Sequence, residues 1–220
     1  MVEPLSVAYH AVKRSNFVPG NTVLIIGAGP IGLLVLKVLK ALGASWIGVS
    51  EPALTRRQTA LEHSASAVFD PLASDVIPQV LSFLAPGAGG VDIVFDCAGI
   101  QASLNTALKV VRPRGNVVDI AVWGTEAKLD MGIVMFKEII LTGKLLIYHT
   151  ASDSLTISLL GLATIGYDKV HAEVIKLLAE GNFPGIEKFI TRKIGFEDVV
   201  EKGIKALVAE KDTQSAFSFI

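Results

Sequence analysis

The sequence predicts an α/β protein with a doubly wound, parallel, six-stranded sheet and helices on both faces. Two observations support this fold class. Short apolar runs such as residues 23–26 alternate along the chain with segments of helical length and period. Strands that are apolar throughout and alternate with helices are typical of a parallel sheet with right-handed crossovers. The first run leads into a glycine-rich turn and a helix, and six strands alternating with helices in this way predict the strand order 3-2-1-4-5-6.

The elements of the sheet follow from the same patterns in chain order. An amphipathic helix at 3–17 is stopped by Pro19 and Gly20, and the helix after the first strand closes at Gly43. We expect strands at 22–26, 46–50, 67–69, 91–95, 116–121 and 139–146. We expect helices between them at 31–42, 54–63, 75–84, 102–110 and 131–137, with a turn at 112–115 before the fifth strand. The tail predicts a helix at 168–179, a strand at 189–194 and a helix at 196–209, whereas residues 150–166 have no clear period.

The turn after the first strand has the spacing G-x-G-x-x-G at Gly27, Gly29 and Gly32. In this motif the first glycine permits the tight turn, the second lets a pyrophosphate approach the backbone, and the third lets helix and strand pack closely. Pro30 suits the first helical position, and the amides that follow from Ile31 face the phosphates with the helix dipole behind them. The motif therefore predicts a dinucleotide site, the alternative being a glycine-rich turn in another α/β fold.

An acid closes the second strand at Glu51, 19 residues after Gly32. This is close to the interval of about 20 residues expected for the acid that binds the adenosine ribose hydroxyls. A carboxylate there repels a 2′-phosphate, so NAD is favoured over NADP. The alternative is a surface acid before a proline.

Composition excludes several other classes of protein. The chain has 220 residues, a net charge of −1 and no basic cluster typical of nucleic-acid binding. Although 51% of residues are hydrophobic, the nearest candidate for a membrane helix, residues 155–165, is too short. Arg112 and Arg114 flank a proline and are expected to be solvated loop charges. No membrane or nucleic-acid partner is expected.

Cysteine content points to a reducing compartment. Cys97 is the single cysteine, so neither an internal disulfide nor a four-cysteine metal site is possible. The N-terminus lacks the basic start and long apolar core of a signal peptide. We therefore expect a cytoplasmic protein.

Several segments together resemble the medium-chain, zinc-dependent alcohol and polyol dehydrogenases, particularly the 2,3-butanediol and sorbitol dehydrogenases. The resemblance covers most of the chain. The matching segments are EPLSVAYHAV at 3–12, PGNTVLIIGAGPIG at 19–32, SEPALTRR at 50–57, VFDP at 68–71, GVDIVFDCAGIQASLNTALKVVRPRG at 90–115, FKEIILTG at 136–143 and IEKFITRKIGFEDVVEKGIKAL at 186–207.

The resemblance implies only the cofactor-binding half of such an enzyme, because in that family a zinc-bearing catalytic domain precedes the EPLSV segment. It implies a junction helix and linker at 1–20, a dinucleotide-binding Rossmann domain at 21–149, an unassigned insert at 150–166 and a remnant of the catalytic domain at 167–220. The reaction implied is reversible hydride transfer between a secondary alcohol or vicinal diol, such as 2,3-butanediol, and NAD. The alternatives are a catalytically incomplete NAD-binding module and a zinc-independent reductase of the same superfamily.

The resemblance also implies further cofactor contacts. Arg56 is similar to the basic residue beside the adenosine in polyol dehydrogenases, although it is equally expected as a solvated helix charge. Cys97 and Ala98 close the fourth strand at its carboxyl end, and Ala121 and Val122 do the same for the fifth, at the edge where open parallel sheets bind ligands. Cys97 by itself is expected to be a small buried residue rather than a nucleophile. No residue of this chain is expected to be catalytic.

Three further expectations concern metal, a misleading motif and assembly. By resemblance, Glu3 is the glutamate that reaches the catalytic zinc, but the histidines lack ligand spacing, so we expect no stable zinc site in this chain alone. Tyr9 and Lys13 match the Tyr-x-x-x-Lys pair of short-chain dehydrogenases, yet they precede the glycine turn and are expected to be an ordinary helix face. In relatives the sixth-strand edge pairs with a second subunit, which implies a homodimer through residues 139–146.

Overall fold

The structure is a computed structural model and describes residues 1–143, 168–190, 192–209 and 217–219. Six strands form one parallel sheet in the order β3-β2-β1-β4-β5-β6, and two short strands form a second sheet. The elements of the large sheet are α1 (Val2–Arg14), β1 (Thr22–Ile26), α2 (Pro30–Ala41), β2 (Trp46–Ser50), α3 (Leu54–Glu62), β3 (Ala67–Phe69), α4 (Val76–Ser82), β4 (Val91–Asp96), α5 (Gln101–Val110), β5 (Val111–Asp119), α6 (Met131–Lys137) and β6 (Ile140–Gly143). The predicted fold class and strand order are confirmed.

Both faces of the central strand are buried. Along β1, Val23 and Ile25 enter one hydrophobic cluster, whereas Leu24 and Ile26 enter another on the opposite face. Each of the four side chains is at most 6% exposed, so each contributes about 1.5–3 kcal/mol to folding. This arrangement explains why the strand is apolar throughout rather than alternating.

Helices cover the two faces of the sheet in separate groups. The first cluster takes side chains from α1, α2 and α3 and from a further helix, α7 (Asp168–Ala179), and the second takes them from α4 and α5. The caps follow from sequence: the side chain of Asp75 accepts a hydrogen bond from the amide of Ile77 at the start of α4. Among the described residues, no helix combines the length and apolar content needed to cross a membrane.

The fifth strand begins earlier than predicted. Residues 112–115 were expected as a turn before a strand at 116–121, but β5 already pairs with β4 at Val111 and the register shifts before Asn116. Arg114 has a φ of +58°, so the extra residues form a bulge within the strand. Arg112 is not a solvated charge: its Nε donates to Asp92 at 2.7 Å.

The C-terminal predictions are partly wrong. The helix at 168–179 is confirmed, but residues 186–189 form a 3₁₀ turn, so only Arg192–Ile194 of the predicted strand at 189–194 is a strand. The predicted helix at 196–209 is instead a 3₁₀ turn, a π-helical segment at Val199–Ile204 and a short α-helix. Phe189 is buried in the first cluster, and its packing replaces the expected strand pairing. Residues 150–166 lie outside the described residues, as do residues 144–146 of the predicted sixth strand.

Tyr9 and Lys13 have a structural role. The hydroxyl of Tyr9 donates to Glu173 at 2.8 Å, and the ammonium of Lys13 donates to the other oxygen of the same carboxylate at 2.9 Å. Together they join α1 to α7. Burial, followed by the hydrogen bond and the charge of Glu173, raises the pKa of Tyr9 to about 12. The interpretation of the pair as a helix face agrees with these contacts.

Candidate dinucleotide-binding site

The glycine turn lies where the carboxyl ends of three strands meet. Gly27 has a φ of +96°, and a Cβ built on it would lie 3.3 Å from the amide nitrogen of Ala98. Its own amide donates to the carbonyl of Ser50 at 2.7 Å. A glycine is required here both for the backbone conformation and for the close approach of the chain after β4.

Gly32 holds the turn against α2. A Cβ at this position would lie 2.0 Å from the carbonyl oxygen of Gly27 and 3.1 Å from its carbonyl carbon. Only hydrogen fits between helix and turn. Gly32 therefore sets how closely the first turn of α2 approaches the end of β1.

Gly29, by contrast, faces open space. It is the N-cap of α2 with a φ of −69°, and a Cβ there would meet no atom within 4 Å. Pro30 follows as the first helical residue, and the next two amides, of Ile31 and Gly32, have no acceptor inside the helix. A space bordered by donors at a helix N-terminus fits a diphosphate.

The carboxylate of Glu51 lies against this turn. One of its oxygens accepts a hydrogen bond from the amide of Ala28 at 2.8 Å, and the other accepts one from the amide of Ala53 at 3.0 Å. The residue is 4% exposed. Because each carboxylate oxygen can accept a second bond, both remain able to receive a ribose hydroxyl. The structure thus brings Glu51 and the glycine turn together, and ribose binding stays a prediction.

Arg57, rather than Arg56, supports Glu51. The guanidinium of Arg57 donates to the carbonyl of Glu51 at 2.7 Å and forms an ion pair with Asp70 at 3.0 Å. It therefore ties the end of β2 to the end of β3. Arg56 is half-buried and lines a groove between α2 and α3. The contact of Arg56 with the adenosine stays a prediction.

The loop after β4 is held by a buried acid. One oxygen of Asp96 accepts from the amides of Ala98 (2.9 Å) and Gly99 (3.3 Å), and the other accepts from the hydroxyl of Ser103 at 2.7 Å. Asp96 is fully buried, and this burial raises its pKa, although the three hydrogen bonds oppose the rise. These hydrogen bonds hold the turn that contains Cys97 and Ala98, the predicted cofactor contacts.

The loop after β5 has a similar support. Asp119 accepts hydrogen bonds from the amide of Ala121 at 3.1 Å and from the indole of Trp123 at 2.6 Å. Burial raises the pKa of Asp119, and the charge of Asp96 adds to this. Val122 is 95% exposed. The structure places Ala121 and Val122 at the same edge of the sheet as the loop after β4.

Cys97 directly follows Asp96 and is close enough to both acids for their charges to act on it. Burial raises the pKa of its thiol, and the negative charges of Asp96 and Asp119 raise it further. Because the thiolate is the nucleophilic form, the thiol is inert at neutral pH. This agrees with the interpretation of Cys97 as a packed side chain.

The chain can be compared with known proteins on this basis. The sequence profile of the family described as zinc-binding dehydrogenase matches residues 30–159, more than half of the chain. The chain belongs to this family. The (R,R)-butanediol dehydrogenase of Neisseria gonorrhoeae is 33% identical over 214 residues, which cover 97% of this chain and 54% of that protein. The (R,R)-butanediol dehydrogenase of Saccharomyces cerevisiae is 34% identical over 218 residues, covering 97% of this chain and 52% of that protein.

A solved structure of a butanediol dehydrogenase also matches the chain. The 2R,3R-butanediol dehydrogenase from Bacillus subtilis superposes with a TM-score of 0.82 at 30% identity, and the match covers 99% of this chain and 56% of that one. The chain spans about half the length of the curated relatives it matches. The matched half is the cofactor-binding half of the zinc-type dehydrogenases, so the resemblance inferred from the motifs is confirmed.

The described residues do not fit the zinc of the family. Glu3, the predicted ligand, is exposed in the first turn of α1. Within the described ranges, no group of three or more His, Cys, Asp or Glu residues is arranged to hold a metal ion. A single carboxylate cannot hold zinc tightly, because stable zinc sites have three or four protein ligands. That this chain alone binds no zinc therefore stays a prediction.

Sequence reasoning missed three residues that shape the site: Asp96, Asp119 and Arg57. Each aspartate is the last residue of a strand whose carboxyl end lies at the ligand-binding edge, and that position could have identified both from the sequence. Arg57 had no comparable signal, because its partner Asp70 is brought near only when β3 pairs beside β2.

Proposed function

We propose that the chain is the NAD-binding part of a zinc-type alcohol or polyol dehydrogenase. The complete enzyme would transfer hydride between a secondary alcohol or vicinal diol, such as 2,3-butanediol, and NAD. The observation that carries this proposal is the buried Glu51 carboxylate hydrogen-bonded to the amide of Ala28 in the glycine turn. The substrate class comes from the names of the relatives.

Different residues of the chain bind different parts of the dinucleotide. The amides at the start of α2 bind the diphosphate, and Glu51 receives the hydroxyls of the adenosine ribose. The loops held by Asp96 and Asp119 line the path toward the nicotinamide. Bound NAD supplies the hydride acceptor, while these residues set its position and exclude wrong cofactors.

Glu51 also sets the preference for NAD over NADP. Both of its oxygens are already held by amides, so the carboxylate cannot swing away from a 2′-phosphate without breaking two hydrogen bonds. The carboxylate would therefore repel the negatively charged 2′-phosphate of NADP at this buried position. Tighter binding of NAD is therefore expected.

Calorimetric titration of NADH and NADPH into the folded chain tests the proposal. Wild-type protein should bind NADH at least about tenfold more tightly than NADPH. Glu51→Gln should weaken NADH at least about tenfold, because a hydrogen bond to a charged group is worth about 1.5–3 kcal/mol. Glu201→Gln removes an equal charge from an exposed carboxylate and should leave both affinities unchanged.

Two results would contradict the proposal. One is the absence of heat from NADH with material that circular dichroism shows to be folded. The other is equal NADH affinity in Glu51→Gln and wild type. Oxidation of 2,3-butanediol by this chain alone is not expected, since the described residues gather no metal-binding group.

We also propose that two copies associate through the edge of the sheet. β6 is the last strand in the sheet order, and Ile140 is 50% exposed on it. Met135 and Phe136 of α6 are likewise exposed, by 65% and 84%. An open apolar edge is a template for pairing with another chain. Sedimentation should show a dimer that Ile140→Lys dissociates, and a monomer at all concentrations would overturn this assignment.

A further inference from the structure

A second concave site begins at Pro30, next to the glycine turn, and extends along α2. It is a groove of about 820 Å³ between α2, α3, the first turn of α1 and residues 184–189. This volume is within the range of small-molecule sites. Leu33, Leu34 and Phe189 give the groove apolar walls, and all three are buried.

Cationic groups from three elements line this groove. Lys37 comes from α2, Arg56 from α3 and Lys188 from the 3₁₀ turn at Ile186–Phe189, while His63 directly follows α3. The imidazole of His63 stacks on the ring of Phe189 with centroids 4.4 Å apart, which fixes its orientation. Four groups that carry or can carry positive charge therefore converge on one apolar cavity.

The positive charges act on one another. Burial lowers the pKa of Lys37, and the ammonium of Lys188 lowers it further, with Glu187 opposing. Burial lowers the pKa of His63, the charges of Lys37 and Lys188 add to this, and Glu62 opposes it. Glu62 itself lines the groove, so the carboxylates of Glu62 and Glu187 offset much of the charge of the two ammonium groups. An anion placed between the ammonium groups of Lys37 and Lys188 would relieve their mutual repulsion.

The part of the groove around Lys37 lies beyond the residues proposed to bind the dinucleotide. Lys37 lies about two helical turns beyond Pro30 on α2, which is roughly 10 Å along the helix axis. A phosphate on the ribose held by Glu51 would therefore meet the N-terminal end of the groove rather than Lys37 and Lys188. A separate ligand fits the charge distribution better than an extension of the cofactor.

We propose that this groove binds a small phosphate monoester with a partly apolar body, at a site distinct from the dinucleotide site. Lys37, Lys188 and His63 contact the phosphate, and the apolar body packs on Leu33 and Phe189. Such a ligand joins α2 and α3 to the 184–189 segment, so it would also stabilise the packing of that segment. The three groups proposed to contact the phosphate are not among the residues proposed to bind the dinucleotide, although Pro30 and Arg56 line the other end of the same groove.

Phenyl phosphate is a suitable probe, with phenol as its uncharged counterpart. Calorimetry should show saturable binding of phenyl phosphate at millimolar or lower concentration, weakening with added salt, and no binding of phenol. Lys37→Gln and Lys188→Gln should each weaken phenyl phosphate at least tenfold. Lys40→Gln, on the same helix but outside the groove, should leave its affinity unchanged.

Two further readouts separate this site from the cofactor site. The pKa of His63, followed by NMR of its imidazole protons, should rise when phenyl phosphate binds. Saturating NADH should not displace phenyl phosphate. The proposal would be overturned by no binding, by equal loss of affinity in Lys40→Gln and Lys37→Gln, or by competition from NADH or NADPH. Competition by NADPH alone would mean that the groove serves the 2′-phosphate of a cofactor.

Discussion

Gly32 and Gly29 belong to one motif, but replacing each with alanine is expected to affect a different property of the protein. At Gly32 the added methyl group would lie 2.0 Å from the carbonyl oxygen of Gly27, a backbone atom that no side-chain rotation can move. At Gly29 the methyl group would enter open space at an ordinary φ of −69°. Gly32→Ala should therefore damage the fold, and Gly29→Ala should damage dinucleotide binding.

The size of the Gly32 effect follows from the geometry. Overpacking costs typically 1–3 kcal/mol, and an overlap with backbone belongs at the upper end, about 3 kcal/mol. Alanine recovers about 1 kcal/mol through its better helix propensity and the stiffer unfolded chain. The net loss of about 2 kcal/mol predicts a fall in Tm of roughly 4–8 °C for a chain of this length.

Thermal unfolding followed by circular dichroism, together with NADH titration, checks both halves of this prediction. Gly29→Ala should change the free energy of unfolding by less than about 1 kcal/mol, yet weaken NADH at least about tenfold by occupying the space of the diphosphate. Gly124→Ala, whose methyl group also meets no atom within 4 Å, controls for the general effect of glycine replacement on stability. An unchanged Tm for Gly32→Ala, or unchanged NADH affinity for Gly29→Ala, would refute the reasoning.

Two predictions concern pH. Burial raises the pKa of Asp96 above its ordinary 3.8, so the free energy of unfolding of the wild type falls as pH rises from that value through the folded pKa. Asp96→Asn cannot titrate, so in urea unfolding it should gain stability relative to the wild type over the same pH range. Parallel pH profiles of the two proteins would contradict this. The pKa of Tyr9 is raised from 10.0 to about 12, so its phenol stabilises the fold below pH 10 and this stabilisation is lost as pH rises to about 12. Ultraviolet titration should show one late-ionising tyrosine that disappears in Tyr9→Phe, and its persistence there would rule out the assignment.

The fold was predictable because its evidence is local. The first three strands are short, largely apolar runs, and their bounds, Thr22–Ile26, Trp46–Ser50 and Ala67–Phe69, were predicted without error. Errors arose where tertiary contacts override local pattern. The proline-containing segment at 112–115 reads as a turn, yet pairing with β4 on either side makes it a bulge within one strand. Likewise, burial of Phe189 in the core replaces a strand with a 3₁₀ turn.

Only part of the candidate site could be predicted from the sequence. The three glycines and Glu51 have a fixed spacing, because one crossover of set length separates the ends of β1 and β2. The ion pair of Arg57 with Asp70 and the groove around Lys37 and Lys188 have no such spacing.

The sequence by itself determined the glycine turn and the acid that meets it, since both lie in a single β-α-β unit, and it determined the strand order through the alternation of strands and helices along the chain. The tertiary structure decided which charges face one another. Ion pairs and cationic clusters depend on residues far apart in the chain, and their separation is set by how helices and strands pack. Lys37 and Lys188 are 151 positions apart, and only the packing of the 184–189 segment against α2 brings them to one groove.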